Sequence, residues 1–260
     1  MRLEQQFLTK NDCYKAGRTI IPKGVMVHST GASNPWVSRY VPGNEVLGYN
    51  TGGNDWDRSG LTKCVHAFVG KFADGQMGVV QTLPWNRRGW HAGTGTSGYS
   101  ANNTHIGFEI CEDALDDGDY FMQVYDAAVE LVAMLCKQYG LDPLADGVVI
   151  CHSEGYKRGV ASNHGDVMHW FPRFGRNMDN FRADVARAME DDMTQEQFNK
   201  MMDNYLAQRN AQSASDWAKP FIQEAIDAGA MTDVGGTIAS PQGFVTRQEL
   251  AVVAAALSKK

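Results

Sequence analysis

The sequence predicts an α/β protein with a central mixed β-sheet flanked by helices, followed by a small α-helical module at the C-terminus. Three observations support this prediction. Short β-rich runs alternate with amphipathic helical patterns over roughly residues 15–190, as in sheets that carry helices on their faces. A polar stretch then separates this region from a second helical pattern. A length of 260 residues, with 43% hydrophobic and 21% charged residues, suits one sizeable globular domain and a smaller one.

Five β-rich runs are the predicted strands of the sheet. They are residues 25–27, which end at His28, and residues 64–70, 78–83, 106–111 and 147–151. Asp74 and Gly75, between the second and third runs, predict a hairpin turn. The last run is continuously apolar, as expected of a buried strand, and it ends before His152, where we expect a loop to begin.

Two helices are predicted in the same region. Apolar residues recur at alternating steps of four and three from Phe121 to Tyr139, which predicts an amphipathic helix with one apolar face. Gly140 follows, and glycine suits the left-handed conformation that ends many helices. A second helix is predicted over residues 178–188, where apolar residues repeat at steps of three and four.

The predicted domain organisation has three parts. They are a main domain over residues 1–191, a helical linker over 192–214 and a small helical module over 215–260. Thr194 to Gln197 has the pattern of a capping box at the start of the linker helix. In the module, apolar residues share a helical face from Trp217 to Ala228, Gly229 stops that helix, and another helix is predicted from Thr246.

The composition excludes several classes of protein. A formal net charge of −6, with no dense Lys/Arg stripe, gives no electrostatic basis for binding nucleic acid. The longest apolar run, residues 250–257, is too short for membrane insertion. The five cysteines form no C-x-x-C pair, which argues against a disulfide framework or a zinc knuckle. The N-terminus lacks the pattern of a signal peptide, so we expect synthesis in a cytoplasm.

Histidines and an aspartate lie next to the predicted strand ends. His28 and His152 each follow a buried strand, and the stretch from His152 to His169 also contains His164 and Asp166. A catalytic zinc ion needs three protein ligands, which can converge from strand ends and loops although they are distant in sequence. The two strand-end histidines are too far apart to form a local zinc motif, so this pattern alone is a weak signal.

Four segments, taken in order, resemble a known family. They are VHST at residues 27–30, GWHAG at 89–93, IGFEIC at 106–111 and the histidine-rich stretch at 148–175. Together they resemble the zinc-dependent N-acetylmuramoyl-L-alanine amidases of the type 2, peptidoglycan-recognition-protein-like family, over roughly residues 15–190. The resemblance implies a mixed sheet flanked by helices, one Zn²⁺ in a surface cleft, and hydrolysis of the amide between the lactyl group of N-acetylmuramic acid and the L-alanine of the stem peptide.

Carried over onto this sequence, the resemblance implies that His28 and His152 are the first two zinc ligands and Asp166 the third. The loop between His152 and Asp166 is longer than in the common pattern, and His164 stands where the family usually has a lysine facing the reacting carbonyl. We therefore expect His164 to stabilise the oxyanion. In the alternative assignment, His164 binds zinc and Asp166 accepts a hydrogen bond from it. Lys157 is a further candidate to replace the family's lysine.

The same resemblance assigns the remaining site residues. Glu109, in IGFEIC, matches the acidic residue beside the reacting water and is expected to be the general base. Trp90 and His91, in GWHAG, are implied to line the substrate cleft, although Trp90 could equally be a core residue. His66 is expected to be structural or cleft-lining.

The tail resembles S-layer-homology-like helical modules through residues 216–231 and 244–257. This resemblance leaves two roles open, binding to the cell wall and formation of a homodimer. Together with the main domain, it predicts a phage or prophage endolysin that is made in the host cytoplasm and acts on peptidoglycan after release. Two alternatives remain: a non-catalytic peptidoglycan-recognition module, and a zinc peptidase acting within the stem peptide.

Overall fold

The computed structural model describes residues 1–190 and 195–229. The chain divides into two compact units, Met1–Asp191 and Asp192–Lys260. All of the candidate site residues belong to the larger unit.

A mixed β-sheet forms the centre of the larger unit. The strands are β1 (Leu3–Gln5), β2 (Gly24–Ser33), β3 (Gly43–Asn44), β4 (Gly48–Tyr49), β5 (Ala67–Lys71), β6 (Met77–Gln81), β7 (His105–Glu112) and β8 (Val149–Cys151). Six of them form one sheet in the order β1-β6-β5-β7-β2-β8. Neighbouring strands of this sheet are parallel except for the antiparallel pair β5 and β6. Strands β3 and β4 form a separate antiparallel ribbon.

Four helices accompany these strands in the larger unit. They are α1 (Asp12–Ala16), α2 (Gly118–Tyr139), α3 (His152–Lys157) and α4 (Met178–Glu190). Single turns of 3₁₀-helix occur at Val37–Arg39, Ala101–Asn103 and Phe171–Phe174.

Helices α2 and α4 cover one face of the sheet. In β2, Val25 and Val27 pack into the large apolar cluster that these helices complete. Alternate residues of a strand point to opposite faces, so Met26 and His28 of the same strand point away from the helices. Met26 packs there in a separate, smaller cluster with Ile150 of β8 and with alanine side chains from loops and from the turn at Ala101–Asn103. This second, loop-covered face carries the candidate site.

The predicted fold class, a mixed sheet flanked by helices, is confirmed. Helix α2 begins after Asp117, whose carboxylate accepts a hydrogen bond from the backbone N–H of Tyr120 at 3.0 Å. The helix ends before Gly140, which adopts the predicted left-handed conformation at φ 63°. Gly75 likewise has a positive φ of 81° in the hairpin that joins β5 to β6.

Several element boundaries differ from the prediction. Strand β2 continues through His28 to Ser33 and does not end at His28. Strand β5 begins at Ala67, because Cys64 instead pairs with Trp90 in an isolated bridge. His152 is the first residue of helix α3 and does not begin a loop. The cause is a cap: the Glu154 carboxylate accepts a hydrogen bond from the backbone N–H of Cys151 at 3.1 Å, and an acidic side chain in the first turn favours the helix.

Helix α4 holds this cap in place. Arg182 Nη1 donates to Glu154 Oε2 at 3.1 Å and to the carbonyl oxygen of Val149 at 2.9 Å. One side chain thereby ties the start of β8 to the first turn of α3, on either side of His152. This contact restricts the backbone that presents the histidine.

In the smaller unit, the described residues form helices α5 (Gln195–Asn210) and α6 (Lys219–Asp227). Gly229 follows α6 with a φ of 69°, as the sequence predicts. The predicted cap at Thr194 and the predicted helix from Thr246 lie outside the described residues. Within the parts of the chain that the structure describes, no helix combines the length and the apolar character needed to cross a membrane.

We expect Arg182→Met to lower the free energy of unfolding by about 1–3 kcal/mol, because a partly buried carboxylate and a carbonyl oxygen lose a charged donor. Arg187→Met, on the same helix, removes an exposed arginine from Asp184, which keeps a hydrogen bond from the Tyr125 hydroxyl, and is expected to cost about 0.5 kcal/mol or less. Urea unfolding followed by tryptophan fluorescence measures both changes. Equal losses in the two variants would contradict the role assigned to Arg182.

Candidate metal centre

Three potential metal ligands come together on the loop-covered face of the sheet. His28 lies in β2, His152 begins α3 directly after β8, and Asp166 lies in the loop before the turn at Phe171–Phe174. His28 Nδ1 and His152 Nδ1 are 3.1 Å apart, and Asp166 Oδ2 lies 3.4 Å from the first atom and 3.3 Å from the second. No other group of three such side chains within the described residues could hold a metal ion.

The spacing of these three atoms fits a tetrahedral metal ion. With ligand distances of about 2.0–2.1 Å, two corners of a tetrahedron lie about 3.3 Å apart, and the observed separations run from 3.1 to 3.4 Å. Two imidazoles and a carboxylate are ligands that Zn²⁺ accepts, and catalytic sites combine three protein ligands with an open position. The donor set therefore fits a catalytic zinc ion.

Parallel pairing of β2 with β8 brings the two histidines together. Val27 and Cys151 are register partners, so the next residue of each segment is His28 or His152. Their rings meet edge to face, with centroids 4.9 Å apart. The Cys151 side chain packs in the helix-covered core, as strand alternation predicts, and takes no part in the cluster.

Burial and mutual contacts set the charges of the cluster. Burial lowers the pKa of His28, although the hydrogen bond with Asp166 partly opposes this shift. Burial acts to raise the pKa of Asp166, but the contacts with His152 and His28 outweigh it, so the net pKa lies below the usual value. A neutral imidazole and an ionised carboxylate are the forms that bind a metal cation.

A further histidine contacts His28 on the side away from Asp166. His28 Nε2 lies 3.0 Å from His91 Nδ1, and His91 Nε2 lies 3.2 Å from the carbonyl oxygen of His105. Burial lowers the pKa of His91 well below its usual value, and the charge of His28 adds to the effect. The sequence prediction has His91 facing substrate. The structure engages both of its ring nitrogens with protein atoms while the side chain keeps partial exposure, so contact between His91 and substrate stays a prediction.

Ser162 links His152 to His164. Its hydroxyl oxygen lies 3.3 Å from His152 Nε2 and 3.1 Å from His164 Nδ1. The His164 ring is exposed beside His152, at a centroid distance of 4.6 Å, and it does not belong to the ligand group. The geometry therefore favours Asp166 over His164 as the third ligand. Lys157 is exposed at the last residue of α3.

Sequence reasoning did not single out Ser162. Its position two residues before His164 was the only available signal, since a serine in a polar loop is ordinarily a surface residue.

Glu109 lies on β7 beside His28. The two residues are register partners in neighbouring parallel strands, so their side chains point to the same face of the sheet. Glu109 Oε2 is buried and has no hydrogen-bond partner among the described residues. Burial raises the pKa of Glu109 well above its usual value, and the charges of Asp166 and Glu112 raise it further. Buried carboxylates with such shifts concentrate at functional sites.

Trp90 is a surface residue and not a core residue. Its side chain is 36% exposed and lines a pocket of about 420 Å³ together with Arg18 and Arg88. The Arg88 guanidinium lies 5.2 Å from the centre of the indole ring. None of the three metal-ligand candidates lines this pocket, and contact between Trp90 and substrate stays a prediction.

Comparison with known proteins agrees with this geometry. The family model described as N-acetylmuramoyl-L-alanine amidase matches residues 17–168, a range that contains all three ligand candidates together with Glu109 and His164. The chain belongs to the N-acetylmuramoyl-L-alanine amidase family. This family membership accounts for the order of the four sequence segments.

Individual relatives match this chain over shorter stretches. The N-acetylmuramoyl-L-alanine amidase CwlH of Bacillus subtilis is 52% identical over 42 residues, which is 16% of this chain and 16% of CwlH. The amidase CwlA of the same organism is 38% identical over 69 residues, which is 26% of this chain and 25% of CwlA. The chain thus matches about a quarter or less of the length of these relatives.

The fold comparison extends over more of this chain. The hydrolase AmiA of Staphylococcus aureus, solved in complex with its ligand, matches 73% of this chain and 83% of its own with a TM-score of 0.52. At 19% sequence identity, this similarity establishes the shared fold.

We expect Asp166→Ala to abolish tight zinc binding, because two histidines alone leave the tetrahedral ion short of its three protein ligands. His164→Ala is the matched control, since it removes a side chain from the same loop that lies outside the ligand group. It should keep one zinc per chain by elemental analysis after dialysis. The reverse pattern would transfer the third ligand position to His164.

Proposed function

We propose that this chain is a zinc-dependent N-acetylmuramoyl-L-alanine amidase. It hydrolyses the amide bond between the lactyl group of N-acetylmuramic acid and the L-alanine of the stem peptide in peptidoglycan. The observation that supports this proposal most directly is the convergence of His28 Nδ1, His152 Nδ1 and Asp166 Oδ2 within an amidase-family domain.

The three ligands would hold one Zn²⁺ per chain. With both imidazoles neutral and the carboxylate ionised, the loaded site carries a net charge of about +1. A bound zinc ion supplies Lewis acidity, which lowers the pKa of water and polarises a carbonyl oxygen. The protein's own groups then have two tasks, to accept a proton from the attacking water and to donate a hydrogen bond to the developing oxyanion.

Glu109 is the proposed general base. Its buried Oε2 has no partner within the described part of the chain, so it is available to take a proton from the attacking water. The position beside His28 places the carboxylate on the face where the ligands meet. In the second half of the reaction, Glu109 delivers the proton to the departing alanine nitrogen.

His164 is the proposed oxyanion donor. If His152 binds metal through Nδ1, its Nε2–H donates to the Ser162 hydroxyl. The single hydrogen of that hydroxyl can go to the carbonyl oxygen of Ala92 at 3.3 Å or to His164 Nδ1 at 3.1 Å, and His164 is the nearer acceptor. His164 then presents an N–H at Nε2, and the exposed ring can turn this donor toward the carbonyl oxygen of the substrate. A well-placed donor of this kind contributes about 3 kcal/mol to stabilising the transition state.

The remaining parts of the proposal concern substrate contact and cellular role. Trp90, an exposed aromatic side chain flanked by Arg88, offers a surface suited to a sugar–peptide ligand. The C-terminal module binds the cell wall or forms a homodimer. The protein acts on the cell wall after release, as a phage or prophage endolysin.

Digestion of purified peptidoglycan, with mass spectrometry of the products, tests the reaction. We expect free stem peptides that begin at L-alanine. Glu109→Gln should retain zinc and fold normally but lose about 10²- to 10⁴-fold in rate, because an amide cannot accept the proton of water. Absence of cleavage by the parent protein would favour a recognition module, and shorter peptides would favour a peptidase. Near-parent turnover in Glu109→Gln would remove Glu109 from the mechanism.

Truncation after Asp191 tests the role of the C-terminal module. The shortened chain keeps every ligand and proposed catalytic residue, so it should bind zinc and hydrolyse small muropeptides at close to the full-length rate. On intact cell walls it should be slower, because a wall-binding or dimerising module raises the effective concentration at the surface. Sedimentation distinguishes loss of a dimer from loss of wall binding. Loss of activity on the small substrate would contradict the proposed boundary.

A further inference from the structure

A chain of hydrogen bonds runs from a backbone carbonyl to the first metal-ligand candidate. It starts at the carbonyl oxygen of His105, which lies 3.2 Å from His91 Nε2. It continues from His91 Nδ1 to His28 Nε2 across 3.0 Å. It ends at His28 Nδ1, which faces His152 Nδ1 at 3.1 Å. Both nitrogens of the His91 ring are therefore used within the protein.

The direction of this chain follows from its first member. A carbonyl oxygen can only accept, so His91 Nε2 must carry the hydrogen. In a neutral ring, His91 Nδ1 is then an acceptor, and the hydrogen between His91 and His28 belongs to His28 Nε2. The lone pair of His28 is thereby left on Nδ1, the atom that faces His152 and Asp166.

We propose that His91 is a positioning residue that fixes the tautomer and ring orientation of His28, and so selects Nδ1 of His28 as the metal-binding atom. The inference rests on the proposed function, since the metal is the one proposed there. Partners of this kind commonly orient metal-bound histidines, and their loss typically weakens metal binding about 10- to 100-fold.

The space around His91 is built to hold its ring in this position. Gly107, on β7, lies directly against the ring: a Cβ there would be 2.4 Å from His91 Cγ and from His91 Nδ1. Gly89 makes a second close approach, at 3.1 Å from its added Cβ to His91 Cδ2. The backbone is fixed as well, because His91 N–H donates to the buried Asn102 side chain at 2.7 Å.

His66 supports this arrangement without joining the chain of hydrogen bonds. The buried His66 ring accepts from the backbone N–H of Gly107 through Nδ1 at 3.0 Å, and its Nε2 donates to the carbonyl oxygen of Arg87 at 2.6 Å. It thereby holds the glycine against which His91 packs. His66 and His91 thus both have roles in the protein that do not include binding the metal.

The first test reads the tautomers directly. Long-range ¹H–¹⁵N correlation spectra of the full-length protein, recorded without zinc at about pH 8, where imidazoles are ordinarily neutral, report which ring nitrogen carries hydrogen. We expect Nε2–H in both His28 and His91, and the same His28 tautomer after zinc is added. A His28 ring protonated at Nδ1 in the zinc-free protein would overturn the inference.

The second test uses two variants of nearly identical shape. His91→Asn keeps an acceptor oxygen close to the position of Nδ1, whereas His91→Leu replaces it with a methyl group. Competition with a chelator should show zinc binding about 10- to 100-fold weaker in His91→Leu, with most of the affinity recovered in His91→Asn. Parent-like affinity in His91→Leu, or equal loss in both variants, would contradict the proposed role.

These outcomes separate the inference from the proposed function. If the parent protein takes up no zinc, the proposed function fails, while the tautomers of the zinc-free protein still test the action of His91 on His28. If the parent binds zinc and hydrolyses peptidoglycan but His28 is protonated at Nδ1 before zinc is added, only the inference fails. If His91→Leu does not fold, as judged by thermal melting, the spectra of the parent protein decide the question.

Discussion

Parallel pairing of β2 with β7 on one side and β8 on the other is the constraint on which the site depends. Register in a sheet decides which side chains are neighbours, and here it places His28 beside Glu109 and next to His152. A slip of one residue would turn His28 toward the helix-covered core, because alternate residues face opposite ways. The loops that carry Asp166 and His91 add to a geometry that the three strands establish.

Burying this many polar groups requires that each has a partner. His28 Nε2 and His152 Nε2 meet this requirement through His91 and Ser162. The two Nδ1 atoms and Asp166 Oδ2 instead face one another with lone pairs at 3.1–3.4 Å, and Glu109 Oε2 is likewise buried without a hydrogen bond in the described part of the chain. The nearby carboxylate of Asp166 raises the cost of ionising Glu109. A cation bound by the cluster would reduce this repulsion, so the charge pattern as well as the geometry suits a metal ion.

Much of the fold could be predicted from sequence because it follows from local patterns. The apolar repeat and Gly140 define α2, and the apolar runs locate five of the six strands of the sheet. The three residues of β1 are too few and too polar to form such a run. The start of α3 at His152 could not be predicted in this way. Its cap depends on Glu154, and that side chain is held by Arg182 from another helix, a contact that no local pattern contains.

Part of the candidate site could be predicted from the sequence, and part could not. Family motifs pointed to His28, His152 and Asp166, and the structure brings these residues together. The motif that contains His91 gave no indication of which way its side chain points, because both a cleft-lining and an inward position are compatible with GWHAG. Ser162 went unnoticed since its importance lies entirely in its contacts with His152 and His164. Such contacts are properties of the folded chain.

Anomalous diffraction at the zinc absorption edge, from crystals of the zinc-loaded protein, tests the central claim most directly. The account predicts one strong peak in the larger unit, about 2.0–2.2 Å from His28 Nδ1, His152 Nδ1 and a carboxylate oxygen of Asp166. A peak bound by His28 Nε2, a peak bound by His164 in place of Asp166, or no peak at this cluster would contradict it.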